Sequence, residues 1–195
     1  AEGRPKVVYH GTHVRPMGDG RMMGDVKAFD RFFTTNFRAP SIDTVGSWFS
    51  TNPGKGGAEM YSGAGDSSLM YPIYLDIKNP HTTTFHLMLR RARLLANGKD
   101  DGRMVGEPEV AAYRKWLADT GKDGIHIVHD EGAANQSREF ENQDVWIALE
   151  PEQIKSAIGN KGAFDTTKAD IREARGVAPE NAHSTESLNQ HIKDT

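Results

Sequence analysis

Short runs of β-forming residues, each closed by Gly, Pro or Asn, recur along this chain without regular alternation with helices, and that pattern constrains the fold most. The first run, Lys6-Val7-Val8-Tyr9-His10, is read as closed by a Gly11-Thr12 turn. Arg31-Phe32-Phe33-Thr34-Thr35, Ser47-Trp48-Phe49-Ser50-Thr51 and Met70-Tyr71-Pro72-Ile73-Tyr74-Leu75-Asp76-Ile77 follow, then Ile125-His126-Ile127-Val128 and Val145-Trp146-Ile147-Ala148-Leu149. Pro72 has no amide hydrogen, so it points to a strand start or an edge. Two helices lie between. Phe85, Met88, Leu89, Ala92 and Leu95 recur at helical spacing, with Thr83 or Thr84 to cap the start and Asn97-Gly98 to end it. Pro108 fits a first helical turn, Val110, Tyr113 and Leu117 form one apolar stripe, and Thr120-Gly121 closes it. Six or so short strands with a few helices, in no βαβ rhythm, predict an α+β fold with a mainly antiparallel sheet.

A chain of 195 residues is long enough to bury one sizeable core. Residues 165–195 hold few large apolar side chains and mixed charge, which predicts a domain over 1–165 and an extended, lightly docked or disordered tail over 166–195. Residues 14–28 and 130–143 read as loops. The absence of cysteine excludes a disulfide scaffold, a thiolate metal site and a cysteine nucleophile together. No apolar run approaches the roughly twenty residues that cross a bilayer. Ala1-Glu2-Gly3-Arg4-Pro5-Lys6 does not resemble a signal peptide, although a delivery segment in a longer parent chain stays open. A net charge of −3 gives no global attraction to nucleic acid.

Three constellations carry possible chemistry. In Val8-Tyr9-His10-Gly11-Thr12 an imidazole precedes a glycine whose backbone a ligand can approach closely; a turn histidine is the competing reading. In Ser47-Trp48-Phe49-Ser50-Thr51-Asn52-Pro53, followed by Ala58-Glu59-Met60-Tyr61, Trp48 and Tyr61 could wall a slot for a flat ring, or belong to the core. Phe49, opposite to Trp48 by alternation, is expected in the core. The run Arg138-Glu139-Phe140-Glu141-Asn142-Gln143-Asp144 offers carboxylates at a strand mouth, where acids can face a developing cation; a solvated loop is the alternative.

With these residues in view, the chain resembles the ADP-ribosyltransferase fold shared by diphtheria toxin and the poly-ADP-ribose polymerases. More closely, it resembles the ADP-ribosyltransferase domains of polyvalent, head-morphogenesis-type phage and prophage proteins and related toxins. The carrying motifs are Val7-Val8-Tyr9-His10-Gly11-Thr12, Trp48-Phe49-Ser50-Thr51-Asn52-Pro53, and Tyr71-Pro72-Ile73-Tyr74-Leu75 running to Lys78-Asn79-Pro80. Gly121-Lys122-Asp123-Gly124-Ile125, Pro151-Glu152-Gln153-Ile154-Lys155-Ser156-Ala157, Gly159-Asn160, Gly162 and Phe164-Asp165 complete the order. Together they span residues 5 to about 165.

The resemblance implies two small, mainly antiparallel sheets packed as a split sandwich with flanking helices. It implies NAD as co-substrate, cleaved at the nicotinamide–ribose bond through an oxocarbenium-like transition state, with ADP-ribose passed to a protein, RNA or DNA acceptor. His10 then bonds the ribose next to nicotinamide, the Gly11 backbone grips the carboxamide, and Thr12 supports with its hydroxyl. Tyr61 stacks on the nicotinamide ring, Trp48 takes the other aromatic position, and Ser50 belongs to the same binding motif. The family's last-strand glutamate aligns, through Gln153, with Val145, which cannot serve. Asp144 is the favoured substitute, through a bulge or register shift, with Gln143 and Glu141 as the other candidates. Ala58 replaces a serine that some relatives use to bond the carboxamide.

The resemblance further implies a toxin or phage effector in the cytoplasm of a producing or target cell, with a cognate immunity protein as a possible partner and no membrane role. Residues 130–143 would face the acceptor, with Arg138 and the two glutamates reading it. Arg90, Arg91 and Arg93, with Lys99 and Arg103, either bind phosphate-rich partners or form a solvated helix face. Pro53-Gly54-Lys55-Gly56-Gly57 lacks the hydroxyl residue of a phosphate loop. His126 and His129 do not make a metal pair, and no metal is expected. Alternatives are a catalytically inactive module that binds NAD or a partner and, last, a tRNA 2′-phosphotransferase.

Overall fold

Val145 and Ile147 point to one side of their strand and Trp146 and Ala148 to the other, and this alternation divides the core into two clusters. The structure is a computed structural model that describes residues 7–13, 15–16, 22–23, 41–62, 68–129 and 144–158. Its strands are β1 (Val7–His13), β2 (Arg15–Pro16), β3 (Met22–Met23), β4 (Ser47–Ser50), β5 (Ser68–Leu75), β6 (Pro80–Thr83), β7 (Gly124–Ile127), β8 (Val145–Ala148) and β9 (Ile154–Ser156). The helices are α1 (Glu59–Ser62), α2 (Phe85–Asn97) and α3 (Glu107–Asp119).

Seven strands form one sheet in the order β6-β7-β8-β4-β1-β5-β9, and β2 pairs with β3 separately. The α+β class and mainly antiparallel pairing hold. Hydrogen bonding makes the sheet continuous, yet it has a narrow waist. β1 and β5 share seven partner pairs and β4 and β8 share four, whereas β1 and β4 meet at the single pair Tyr9↔Ser50. The split therefore lies between the four strands β6-β7-β8-β4 and the three strands β1-β5-β9.

One face of the four-stranded half carries Ile125, Ile127, Val145 and Ile147, covered by Met88 and Ala92 of α2 and by Val110, Tyr113 and Leu117 of α3. The opposite face carries Phe49, Trp146 and Ala148, continuous with Val8, Tyr71, Ile73 and Ile154. Both helices follow their sequence signals. Thr84 caps α2 by accepting from the Leu87 amide, and Gly98 ends it in the left-handed region. Pro108 lies in the first turn of α3.

Four expectations change. The loop expected over 14–28 holds two short strands, with β2 pairing β3 at Arg15↔Met23 and Pro16↔Met22. The Gly11-Thr12 turn is strand, because β5 runs alongside and pairs Gly11 with Met70 and Thr12 with Leu69. Pro72 stands inside β5, paired with Tyr9, rather than at its start; the β5–β9 pairs end at Ile73↔Ser156, so only on the β9 side does Pro72 lie just past the last paired residue. Pro80–Thr83 pairs in parallel with β7 across the α2–α3 crossover, although its sequence reads only as the lead-in to a helix. The expected strand at 31–35, the loop 130–143 and the tail 166–195 lie outside the described residues.

Candidate active site

The candidate site is built where the two halves of the sheet meet. After β4 the chain must reverse, and short polar side chains set the turn. Ser50 Oγ donates to the Asn52 carbonyl and accepts from its amide, each at 2.9 Å, and Asn52 Oδ1 accepts from Gly54 N at 2.9 Å. The Asn52 carbonyl also accepts from Ala58 N at 2.9 Å, which delivers the chain into α1. That short helix is pressed against β1. A Cβ at Gly11 would run into the Ala58 carbonyl oxygen, with Ser62 N at 3.0 Å, so only glycine fits there. The backbone of Tyr61 lies on α1, beside this contact; the Tyr61 side chain is outside the described residues.

His10 bridges the waist with its side chain. Its Nδ1 lies 2.9 Å from the Trp48 carbonyl. A carbonyl can only accept, which assigns the proton to Nδ1 and leaves the lone pair on Nε2. Burial pushes the imidazole pKa below its ordinary value, partly opposed by the bond to Trp48, so the ring is neutral at neutral pH. Its ring centroid is 5.6 Å from that of Phe49, which is buried. Cross-strand pairing continues this row, from Tyr71 opposite His10 on one side to Phe49, Trp146 and His126 on the other.

Asp144 stands at the mouth of β8, held by Thr51. Thr51 N donates to the Asp144 carbonyl at 3.0 Å, and Asp144 N donates to Thr51 Oγ1 at 3.3 Å. Alternation places Asp144 on the Trp146 side of the strand, the face that also carries His10, without a bulge. Val145 faces the helices and is 5% exposed. Asp144 Oδ2 lies 3.3 Å from His126 Nε2, and the His126 ring stacks on Trp146 at 4.0 Å and 11°. Gln143 and Glu141, and with them Glu139 and Arg138, lie outside the described residues.

His126 was not legible as a neighbour of Asp144, because only the β7–β8 register joins them. The available signal was its place between Ile125 and Ile127 in an alternating strand. The Trp48 ring is separated from His10: it lies on the helix-covered face, edge-on to Phe85 at 6.3 Å, with Nε1 donating to the Asp43 carbonyl. What Trp48 brings to His10 is its carbonyl. The Ser50 hydroxyl is taken up in the turn, and Thr12 stands two residues beyond His10 on the same side of β1.

Other motif residues hold the frame. Asp123 accepts from the Lys78 and Asn79 amides at 2.8 Å each, and Asn79 Nδ2 donates to the Gly121 carbonyl at 2.9 Å. Gln153 accepts from the Leu149 and Glu150 amides and donates to the Asp76 and Asp123 carbonyls. The arginines of α2 are engaged within the fold. Arg93 and Arg90 face Asp100 at 3.0 and 3.7 Å, and Arg91 lies 4.3 Å over the Trp116 ring. Among the described residues no group of three His, Cys, Asp or Glu side chains is gathered for a metal, and no helix is long and apolar enough to cross a membrane.

The family model for ADP-ribosyltransferases in polyvalent proteins matches residues 1–164. Neither curated proteins nor solved structures gave a match.

Proposed function

The chain belongs to the family of ADP-ribosyltransferases in polyvalent proteins, whose members use NAD as substrate, and from that premise we propose that it is an active mono-ADP-ribosyltransferase. It cleaves NAD between nicotinamide and ribose and transfers ADP-ribose to a protein or nucleic-acid acceptor, acting as a toxin or phage effector in the cytoplasm of a producing or target cell. The catalytic domain spans 1–165, with 166–195 as a tail.

The observation that carries this reading is His10, neutral and fixed by the Trp48 carbonyl at the waist of the sheet, on the face that also presents Asp144. Neutral His10 suits a ribose hydroxyl, which donates to Nε2. Gly11 and Tyr61 supply the carboxamide contact and the stacking surface, with Thr12 in support. The C1′–N bond breaks with its electron pair going to nicotinamide, which leaves neutral, so orientation and charge matter more than a general acid. Asp144 supplies the negative charge beside the developing cation. The acceptor nucleophile then bonds C1′ and releases its proton to solvent.

A second reading rests on Val145. A core residue at the aligned glutamate position also suits an inactive module that binds NAD or a partner. Labelled NAD incubated with cell lysate, followed separately by protease and nuclease, distinguishes the two. Label in protein or nucleic acid, lost in His10→Ala and Tyr61→Ala, is the expected result. NAD binding without label supports the inactive module as an NAD binder, and no NAD binding overturns the transferase reading and leaves only a partner-binding module.

A further inference from the structure

We propose that His126 is a positioning residue that holds the Asp144 carboxylate toward the reacting ribose; this rests on the reading of Asp144 given above. β7 pairs with β8 so that His126 lies directly opposite Trp146, and Asp144, the residue just before β8, reaches His126 on the same face. The imidazole lies flat on the indole, with centroids 4.0 Å apart and planes within 11°, so its rotation is restrained by packing.

His126 Nε2 is buried and has no hydrogen-bond partner among the described residues, yet it lies 3.3 Å from Asp144 Oδ2. The two atoms are within reach of each other, but their geometry falls short of a hydrogen bond. The Asp144 side chain is 40% exposed against 18% for His126, so the carboxylate is the part with room to turn. A small rotation of Asp144 completes the bond, as catalytic contacts commonly do when substrate closes the site. An unmet buried nitrogen favours that rotation, because leaving it unsatisfied is costly. An aspartate is one methylene shorter than the glutamate it replaces, and a carboxylate on a short stem needs its direction set from outside.

The test uses the full chain and four variants: His126→Phe, His126→Gln, Asp144→Asn and the His126→Phe/Asp144→Asn double. Phe keeps the ring on Trp146 and removes Nε2, whereas Gln keeps a donor and gives up the ring. Nicotinamide release should show kcat lowered about 10- to 100-fold in His126→Phe, with KM for NAD and Tm unchanged. Gln should recover part of that loss. The double variant should be no slower than Asp144→Asn alone, because a residue acting only through Asp144 has nothing left to position. Additive losses, or wild-type kcat in His126→Phe, would overturn the proposal.

The ring 15N shifts of His126 give a readout independent of turnover. They should place the proton on Nε2 in the wild type and change in Asp144→Asn. If the wild type turns over no NAD, the transferase reading falls and these shifts decide the pairing. Shifts unaffected by Asp144→Asn overturn it, and altered shifts support it.

Discussion

Gly11→Ala adds one methyl group where α1 meets β1. The new Cβ would lie 2.8 Å from the Ala58 carbonyl carbon and 3.0 Å from Ser62 N, and nearer still to the Ala58 oxygen. Ordinary contact starts at 3.4 Å, and the obstructing atoms are main chain of Ala58 and of α1, which cannot rotate away. The short helix must therefore lift from the strand and carry Tyr61 with it. Over-packing of this kind costs about 1–3 kcal/mol, and the rigidity of the neighbours places Gly11 at the upper end. Lower entropy of the unfolded alanine chain returns about 0.4–1 kcal/mol, which leaves a net loss of about 2 kcal/mol. Urea unfolding should show a lower midpoint at unchanged slope, and NAD turnover should fall by more than the folded fraction accounts for. Gly98→Ala is the control. Gly98 has φ 68° and nothing within 4 Å of an added Cβ, so the change should cost about 1 kcal/mol through backbone strain and leave turnover intact. A Gly11→Ala protein with wild-type stability and turnover would refute the close packing of α1 on β1 as the reason for this glycine.

Gln153→Ala removes four hydrogen bonds that join the end of β8 to residues after β5 and before β7, and should destabilise by about 2–4 kcal/mol in urea. A loss under about 0.5 kcal/mol would show that water replaces the clamp without cost. Stability should fall as pH drops from about 6.5. Burial first, then Arg91 and Lys122, hold the His81 pKa at about 4 in the folded chain, so the unfolded chain binds more protons between 6.5 and that value. The contribution is complete above about 6.5 and lost on descending through that window; His10, lowered too, adds in the same direction. His81→Gln should reduce the slope between pH 7 and 5, and an unchanged slope would count against this origin. Asp144→Ala should cost far more transfer activity than Glu139→Ala, and full activity in Asp144→Ala would remove it as the acidic residue.

Both long helices were legible with their ends, because Thr84, Gly98 and Pro108 act on the backbone within a turn of themselves. The alternating runs at 47–50, 124–127 and 145–148 were legible for the same local reason, and they separated Phe49 from Trp48. Strands β6 and β9 were not. Three or four residues with little periodicity become strands only when a neighbour completes their hydrogen bonds. The Gly11-Thr12 pair misled because glycine signals a turn in sequence, whereas here it admits a helix that arrives from residues 58–62.

The sequence by itself determined the α+β class, the helices, the family motifs and the candidacy of His10, Gly11, Tyr61 and Asp144. Tertiary structure alone decided what His10, Gly11 and Asp144 meet. The single β1–β4 pair put His10 against the Trp48 carbonyl, and the β8 pleat sent Asp144 to the His10 face and Val145 into the core. The β7–β8 register brought His126 to Asp144. Local preferences act over a few residues, but pairing register moves every side chain of a strand to one face or the other, and register is fixed only when distant strands bury their apolar sides together.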